Sequence, residues 1–170
     1  MRKFLIIIII TFVSIDAFTQ NKKSYLRNGN KLYNDSSYND AEMQYRKSLE
    51  KDQNYFNATF NLANAVYKQE RYDEASALFN ALSNDENNQN NKAKVYHNLG
   101  NTLFKEKKIE DAISAYKNAL RLNPNDEDTR YNLALSNQEK RKQEQEKEEQ
   151  EKEEQEKEEQ EKEEQEKEEQ

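Results

Sequence analysis

The chain has 170 residues, of which 33% are hydrophobic and 36% charged, with two glycines, one proline, one histidine, no cysteine and a formal net charge of −7. That is apolar material for one small domain, with much of the length left outside any core. The lack of cysteine excludes a disulfide framework, a thiolate zinc site, a cysteine nucleophile and a cysteine-linked lipid anchor.

The N-terminus places Arg2 and Lys3 ahead of an apolar run from Phe4 to Val13, followed by small residues at Ala17 and Thr19. This is the layout of a secretory signal peptide over residues 1–19, cut after Thr19. The run is shorter than the roughly 20 residues of a spanning helix, so an uncleaved anchor is the weaker alternative. Export would place the mature protein in the periplasm or at the outer side of a membrane.

From residue 22 the chain repeats itself. Asn61-Leu62-Ala63-Asn64 aligns with Asn98-Leu99-Gly100-Asn101, and the same offset sets Ala75 over Ala112 and Phe79 over Tyr116. A step of 34 residues backwards sets Gly29-Asn30 over Ala63-Asn64, Ala41 over Ala75 and Tyr45 over Phe79. The period is therefore 34, with a three-residue insertion in the polar run SNDENNQNN at 83–91. Repeats span 22–55, 56–89 and 93–126, and a partial fourth, 127–138, offers Leu133 and Ala134 before turning polar.

A 34-residue period with a small residue at position 8, alanine at 20, an aromatic at 24 and proline at 32 resembles the tetratricopeptide repeat (TPR). Residues 93–126 carry it most fully, with Tyr96, Leu99, Gly100, Leu103, Ala112, Tyr116, Ala119 and Pro124. The first repeat departs at Asn28 and Gln53, the second at Thr59 and Leu82. The resemblance implies an all-α solenoid of three helix-turn-helix repeats, closed by a C-terminal capping helix over 127–138. Each pair of helices buries its apolar faces against its neighbours, and three repeats meet the minimum for a stable array. Position 8 should lie against the second helix of its own repeat, which would explain why Gly29, Ala63, Gly100 and Ala134 are small. Asn123-Pro124 ends the sixth helix, and Asp126 or Asp128 can cap the next.

In such arrays positions 2, 5, 6, 9, 12 and 13 of each first helix line the concave face. They include Lys23, Leu26, Arg27, Asn30, Tyr33 and Asn34 in the first repeat, and Phe60, Asn61, Asn64, Tyr67 and Lys68 in the second. The third adds Lys94, His97, Asn98, Asn101, Phe104 and Lys105, and the cap adds Tyr131 and Asn132. The candidate peptide-binding groove is Asn30, Phe60, Asn61, Asn64, Tyr67, Lys94, Asn98, Asn101, Phe104, Tyr131 and Asn132. Amides both donate and accept, so two asparagine rows can bracket an extended backbone while the aromatics offer apolar pockets. The same asparagines can instead bond to one another along the superhelix. A clamp for a partner's free carboxylate would resemble Asn30, Asn61 and Lys94, but it expects lysine at Leu26 and a basic residue at Asn98. His97, the lone imidazole, has no nucleophile or metal ligands beside it in sequence and reads as a peptide contact or bystander. Neither a phosphate-binding glycine loop nor a groove-reading basic stripe is present, so the sequence predicts no enzyme, no cofactor, no metal and no nucleic-acid binding.

From Glu146 the chain is EKEEQ five times over. These copies carry −10 against −7 for the whole, which leaves +3 for residues 1–145. Lys152 follows Glu148 by four residues and Glu149 by three, so ion pairs favour helix. With no apolar stripe there is no coiled-coil core. Residues 139–170 read as a solvated, partly helical tail, either a spacer or an acidic lure for a basic partner.

NLGN, KNALRLNPND and RYNLALS, between a leader and a charged tail, resemble the TPR proteins of Bacteroidetes aerotolerance (Bat) operons. That resemblance implies an extracytoplasmic, membrane-associated scaffold beside von Willebrand A-type partners, joined to the membrane through them or an uncleaved leader, with a link to oxidative stress. The expected function is an adaptor that holds a protein segment in its groove. The competing expectation is a self-associating envelope element with an incidental groove.

Overall fold

The computed structural model describes residues 21–168, with side chains described for 21–85 and 89–157; the leader expected at 1–19 lies outside this range. Seven α-helices and one 3₁₀ turn follow in order: α1 (21–34), α2 (Tyr38–Lys51), α3 (Phe56–Lys68), α4 (Tyr72–Asn84), the 3₁₀ turn (Glu86–Asn91), α5 (Lys92–Lys105), α6 (Ile109–Leu122) and α7 (Glu127–Glu168). No strand occurs among the described residues. The helices form a succession of hairpins in which α2 packs on α3, α4 on α5 and α6 on α7, as well as each pair on itself. The three-residue insertion becomes the 3₁₀ turn and delays the start of α5 without breaking the array.

The turn inside each hairpin is built identically. Ser36, Glu70 and Lys107 have φ of 60°, 62° and 64°, the left-handed region that favours glycine. The following amide reaches back to the carbonyl five residues earlier: Ser37 to Leu32 at 2.9 Å, Arg71 to Val66 at 3.3 Å and Lys108 to Leu103 at 3.0 Å. The left-handed residue itself bonds to Tyr33, Tyr67 and Phe104 respectively. This paired closure satisfies carbonyls that a helix end would otherwise leave open. Across two of these turns a tyrosine pair meets edge to face, Tyr33 on Tyr38 and Tyr67 on Tyr72, each at 5.3 Å.

The core runs the length of the array, and its largest wholly buried side chains are Tyr45, Tyr116 and Phe79. The two tyrosine rings each lie on the position-8 residue of their own repeat. A Cβ added at Gly29 would stand 2.5 Å from Tyr45 Cε1, and one at Gly100 2.5 Å from Tyr116 Cε1. Glycine is thus the space in which a tyrosine ring lies against the facing helix. The second repeat substitutes Ala63 and the phenol-free Phe79, both buried.

Two expectations change at the ends of the array. Ala134 is exposed, because α7 continues straight on and no second helix folds back to cover it. Residues beyond 138 are not merely partly helical: α7 is unbroken to Glu168. Its cap is Asp126, whose Oδ1 accepts the Thr129 N–H at 2.9 Å, and that bond holds the Asp126 carboxyl below its usual pKa. Lys140 reaches Glu110 on α6 at 3.6 Å. Along α7 itself Lys140 pairs with Glu144, Lys142 with Glu146 and Lys147 with Glu151, each a lysine with a glutamate four residues after it. The five-residue period turns each EKEEQ copy by about 140°, so every residue type spreads around all sides of the rod.

Candidate functional site

Helices α1, α3, α5 and the start of α7 form the inner face, and the asparagine rows meet there as a ladder. Asn61 Nδ2 donates to Asn30 Oδ1 at 2.8 Å, Asn98 Nδ2 to Asn64 Oδ1 at 2.9 Å, and Asn132 Nδ2 to Asn101 Oδ1 at 2.8 Å. Position 6 of one repeat therefore bonds to position 9 of the repeat before. The rings beneath support the rungs: Tyr45 Oη donates to Asn30 Oδ1 at 3.0 Å, and Tyr116 Oη to Asn101 Oδ1 at 2.7 Å. Burial, with Tyr33 nearby, pushes the Tyr45 phenol up to about 12, and burial raises that of Tyr116 further. Both phenols stay protonated, and so remain donors, well beyond neutral pH.

The ladder uses one polar atom of each amide, and Asn101 also gives its Nδ2 to His97, so each of the other five amides keeps one group unbonded. Among the described residues, Asn61, Asn98 and Asn132 keep an unbonded Oδ1, and Asn30 and Asn64 keep an unbonded Nδ2. Donors and acceptors thus alternate along the face, oriented by their partners before any ligand arrives. An extended backbone offers the complementary alternation.

Three connected hollows follow this face. The first, about 270 Å³, is lined by Asn30, Tyr33, Asn34, Tyr45, Asn61 and Asn64. The second, about 100 Å³, shares Tyr33 and Asn64 and adds Tyr67, Lys68, Phe79, Asn98 and Asn101. The third, about 210 Å³, shares Tyr67 and Asn101 and reaches Phe104, Lys105, Tyr116, Asn132 and Leu135. Tyr67 and Phe104 therefore stand where apolar pockets were expected. Phe60 does not: its ring packs inward on Phe56 and Phe79, at 5.8 Å from each. Leu26 is likewise part of the buried core rather than of the groove. Lys94 and Tyr131 are exposed and stand outside the three hollows, Tyr131 at 69% exposure.

His97 has a structural task that its isolation in sequence conceals. Asn101 Nδ2 lies 3.0 Å from His97 Nε2. An amide nitrogen can only donate, so Nε2 accepts and the ring proton sits on Nδ1. Nδ1 then donates to Thr129 Oγ1 at 2.6 Å. The imidazole joins the ladder to the first turn of α7 and positions the last inner helix. Thr129 occupies a position outside the expected groove set, and only the fold brings it beside His97.

Charge is segregated by helix, a feature present in the sequence. Helix α1 carries Lys22, Lys23, Arg27 and Lys31, α3 carries Lys68, and α5 carries Lys92, Lys94 and Lys105; none carries a carboxylate. The outer helices balance their charges or, in α4, are acidic. Lys23, Arg27, Lys68, Lys94 and Lys105 are exposed, and among the described residues none forms an ion pair. Nor do the described residues contain a group of His, Asp or Glu able to hold a metal, or a helix long and apolar enough to cross a membrane.

Two family models, both described as tetratricopeptide repeat, match residues 32–96 and 93–126, together more than half of the chain. No curated protein matches it significantly. Similar solved structures include the first TPR of Spaghetti (RPAP3) bound to the HSP90 peptide SRMEEVD, at 24% identity and a TM-score of 0.65, covering 70% of this chain and 92% of that one. The second TPR domain of human RPAP3, in complex with the HSP70 peptide SGPTIEEVD, has 18% identity and a TM-score of 0.65 over 71% and 98%. MamA from Desulfovibrio magneticus RS-1 has 22% identity and a TM-score of 0.65 over 71% and 66%. At these identities the likeness is one of fold.

Proposed function

Because the chain belongs to the tetratricopeptide repeat family, we propose that it is a protein-binding scaffold whose concave groove holds an extended segment of a partner and performs no chemistry. The observation that carries this reading is the asparagine ladder, whose unbonded amide groups alternate along three connected hollows. Solenoids commonly bind through such concave surfaces, and two of the fold neighbours hold peptides. The carboxylate clamp stays disfavoured, since Leu26 is buried and Asn98 is neutral and engaged with Asn64.

The leader-like N-terminus supports an exported protein working in the periplasm or at the outer side of a membrane. The layout of leader, repeats and charged tail supports a place in a Bat-type, membrane-associated complex with von Willebrand A-type partners and a link to oxidative stress. The alternative is a self-associating envelope element whose groove is incidental.

Photoreactive side chains placed at Tyr67 and Phe104 in the native cell envelope test the groove, with Lys117 on the outer helix α6 as the control. The expected result is capture of one envelope protein from the two groove positions, lost when Asn64→Ala and Asn101→Ala are combined. Equal capture from Lys117, or capture that survives the double substitution, would overturn the reading.

A further inference from the structure

The five exposed cations of the inner face form no ion pair among the described residues, while the same chain carries −10 in residues 146–170. Lys68 and Lys105 line the second and third hollows, and Lys23, Arg27 and Lys94 stand on the same three inner helices beside them, so the carboxylate-free face carries positive charge on each inner helix. The tail presents net charge with a matching linear character, about −2 for every 7.5 Å of helix, and equally on all its sides. From this complementarity we propose that the groove of one copy takes the acidic tail of a second copy. The proposal rests on the groove being the binding face and specifies the segment that it receives.

Intramolecular capture is excluded by the geometry of α7. It occupies the first-helix place of a fourth repeat, so its extension projects past the edge where the other first helices turn back, at 34–37, 68–71 and 105–108. Returning to its own groove would require breaking a continuous helix. A second copy needs no such break. Each copy then offers one groove and one tail, so association builds a reciprocal dimer, a ring or an open chain according to the rotation between copies. Because the contact is between exposed charges, salt screens it.

The test uses the full chain, with a variant combining Lys68→Gln, Lys94→Gln and Lys105→Gln. These lysines are exposed and unpaired, and circular dichroism verifies that the variant folds. Sedimentation velocity in about 20 mM salt should give a weight-average mass roughly twofold or more above the monomer, returning to monomer in about 0.5 M salt. The triple variant should remain monomeric at both. A photoreactive group at Tyr67, in a mixture of isotopically light and heavy copies, should form crosslinks into residues 146–170 that join light to heavy chains. A monomer at low salt, association that persists in the triple variant, or light-to-light tail crosslinks alone would each overturn the proposal. If Tyr67 captures an envelope protein while the purified chain stays monomeric, the tail proposal falls and the groove reading stands.

Discussion

Gly100 and Tyr116 work as one unit. The missing Cβ leaves room for a ring that is 2% exposed, and the ring's hydroxyl fixes the acceptor on which Asn132 also bonds. Gly100→Ala gains about 1 kcal/mol of helix propensity but drives the new methyl into a buried ring. We expect a net loss of about 1–3 kcal/mol in urea unfolding, whereas Ala63→Gly, beneath Phe79, should cost only about 1 kcal/mol. An unchanged midpoint for Gly100→Ala would show that the ring has freedom the packing denies it. The glycine's role was legible in sequence, because the repeat register sets positions 8 and 24 side by side. Half of the asparagine geometry was legible too: the rows, but not which amide groups the ladder consumes. His97 was not, since its partner Thr129 lies 32 residues away on the next repeat. Nor was the inward turn of Phe60, which depends on Phe56 and Phe79 closing around it.

Helices and their order follow from the period, but the turns carry a feature the residue types do not reveal. Ser36, Glu70 and Lys107 share no chemistry, yet all three adopt the same left-handed conformation. A side chain there costs roughly 1–2 kcal/mol, part of which glycine returns to the unfolded chain as entropy. Lys107→Gly should therefore raise stability by about 1 kcal/mol, read as a higher urea midpoint at an unchanged slope. A lower midpoint would show that the closing bonds from Lys107 and Lys108 do not fix that backbone. The charge of the inner helices was equally available in sequence. The sum of +3 over residues 1–145 does not reveal it, because the segregation appears only once the charges are sorted by inner and outer helix.

For the molecule as a whole, the decisive property is a folded array joined to a straight rod. The sequence, lacking an apolar stripe beyond Leu135, pointed to a tail that is helical in part; α7 is instead continuous to Glu168, with lysine–glutamate pairs along it as far as Glu151. Spin labels at Gln138→Cys and Gln165→Cys, in a chain with no other cysteine, should lie about 40 Å apart in a narrow distribution. A broad distribution centred near about 29 Å, the coil value, would contradict the rod. The other end of α7 has a different consequence. Its first turns meet α6 as α5 meets α4 and α3 meets α2, and its Asn132 completes a rung like those before it. A duplicated 34-residue unit spliced between Asp126 and Glu127 would therefore find on either side the surfaces it was copied from. Duplication at that seam would lengthen the groove while the terminal rod is carried outward unchanged.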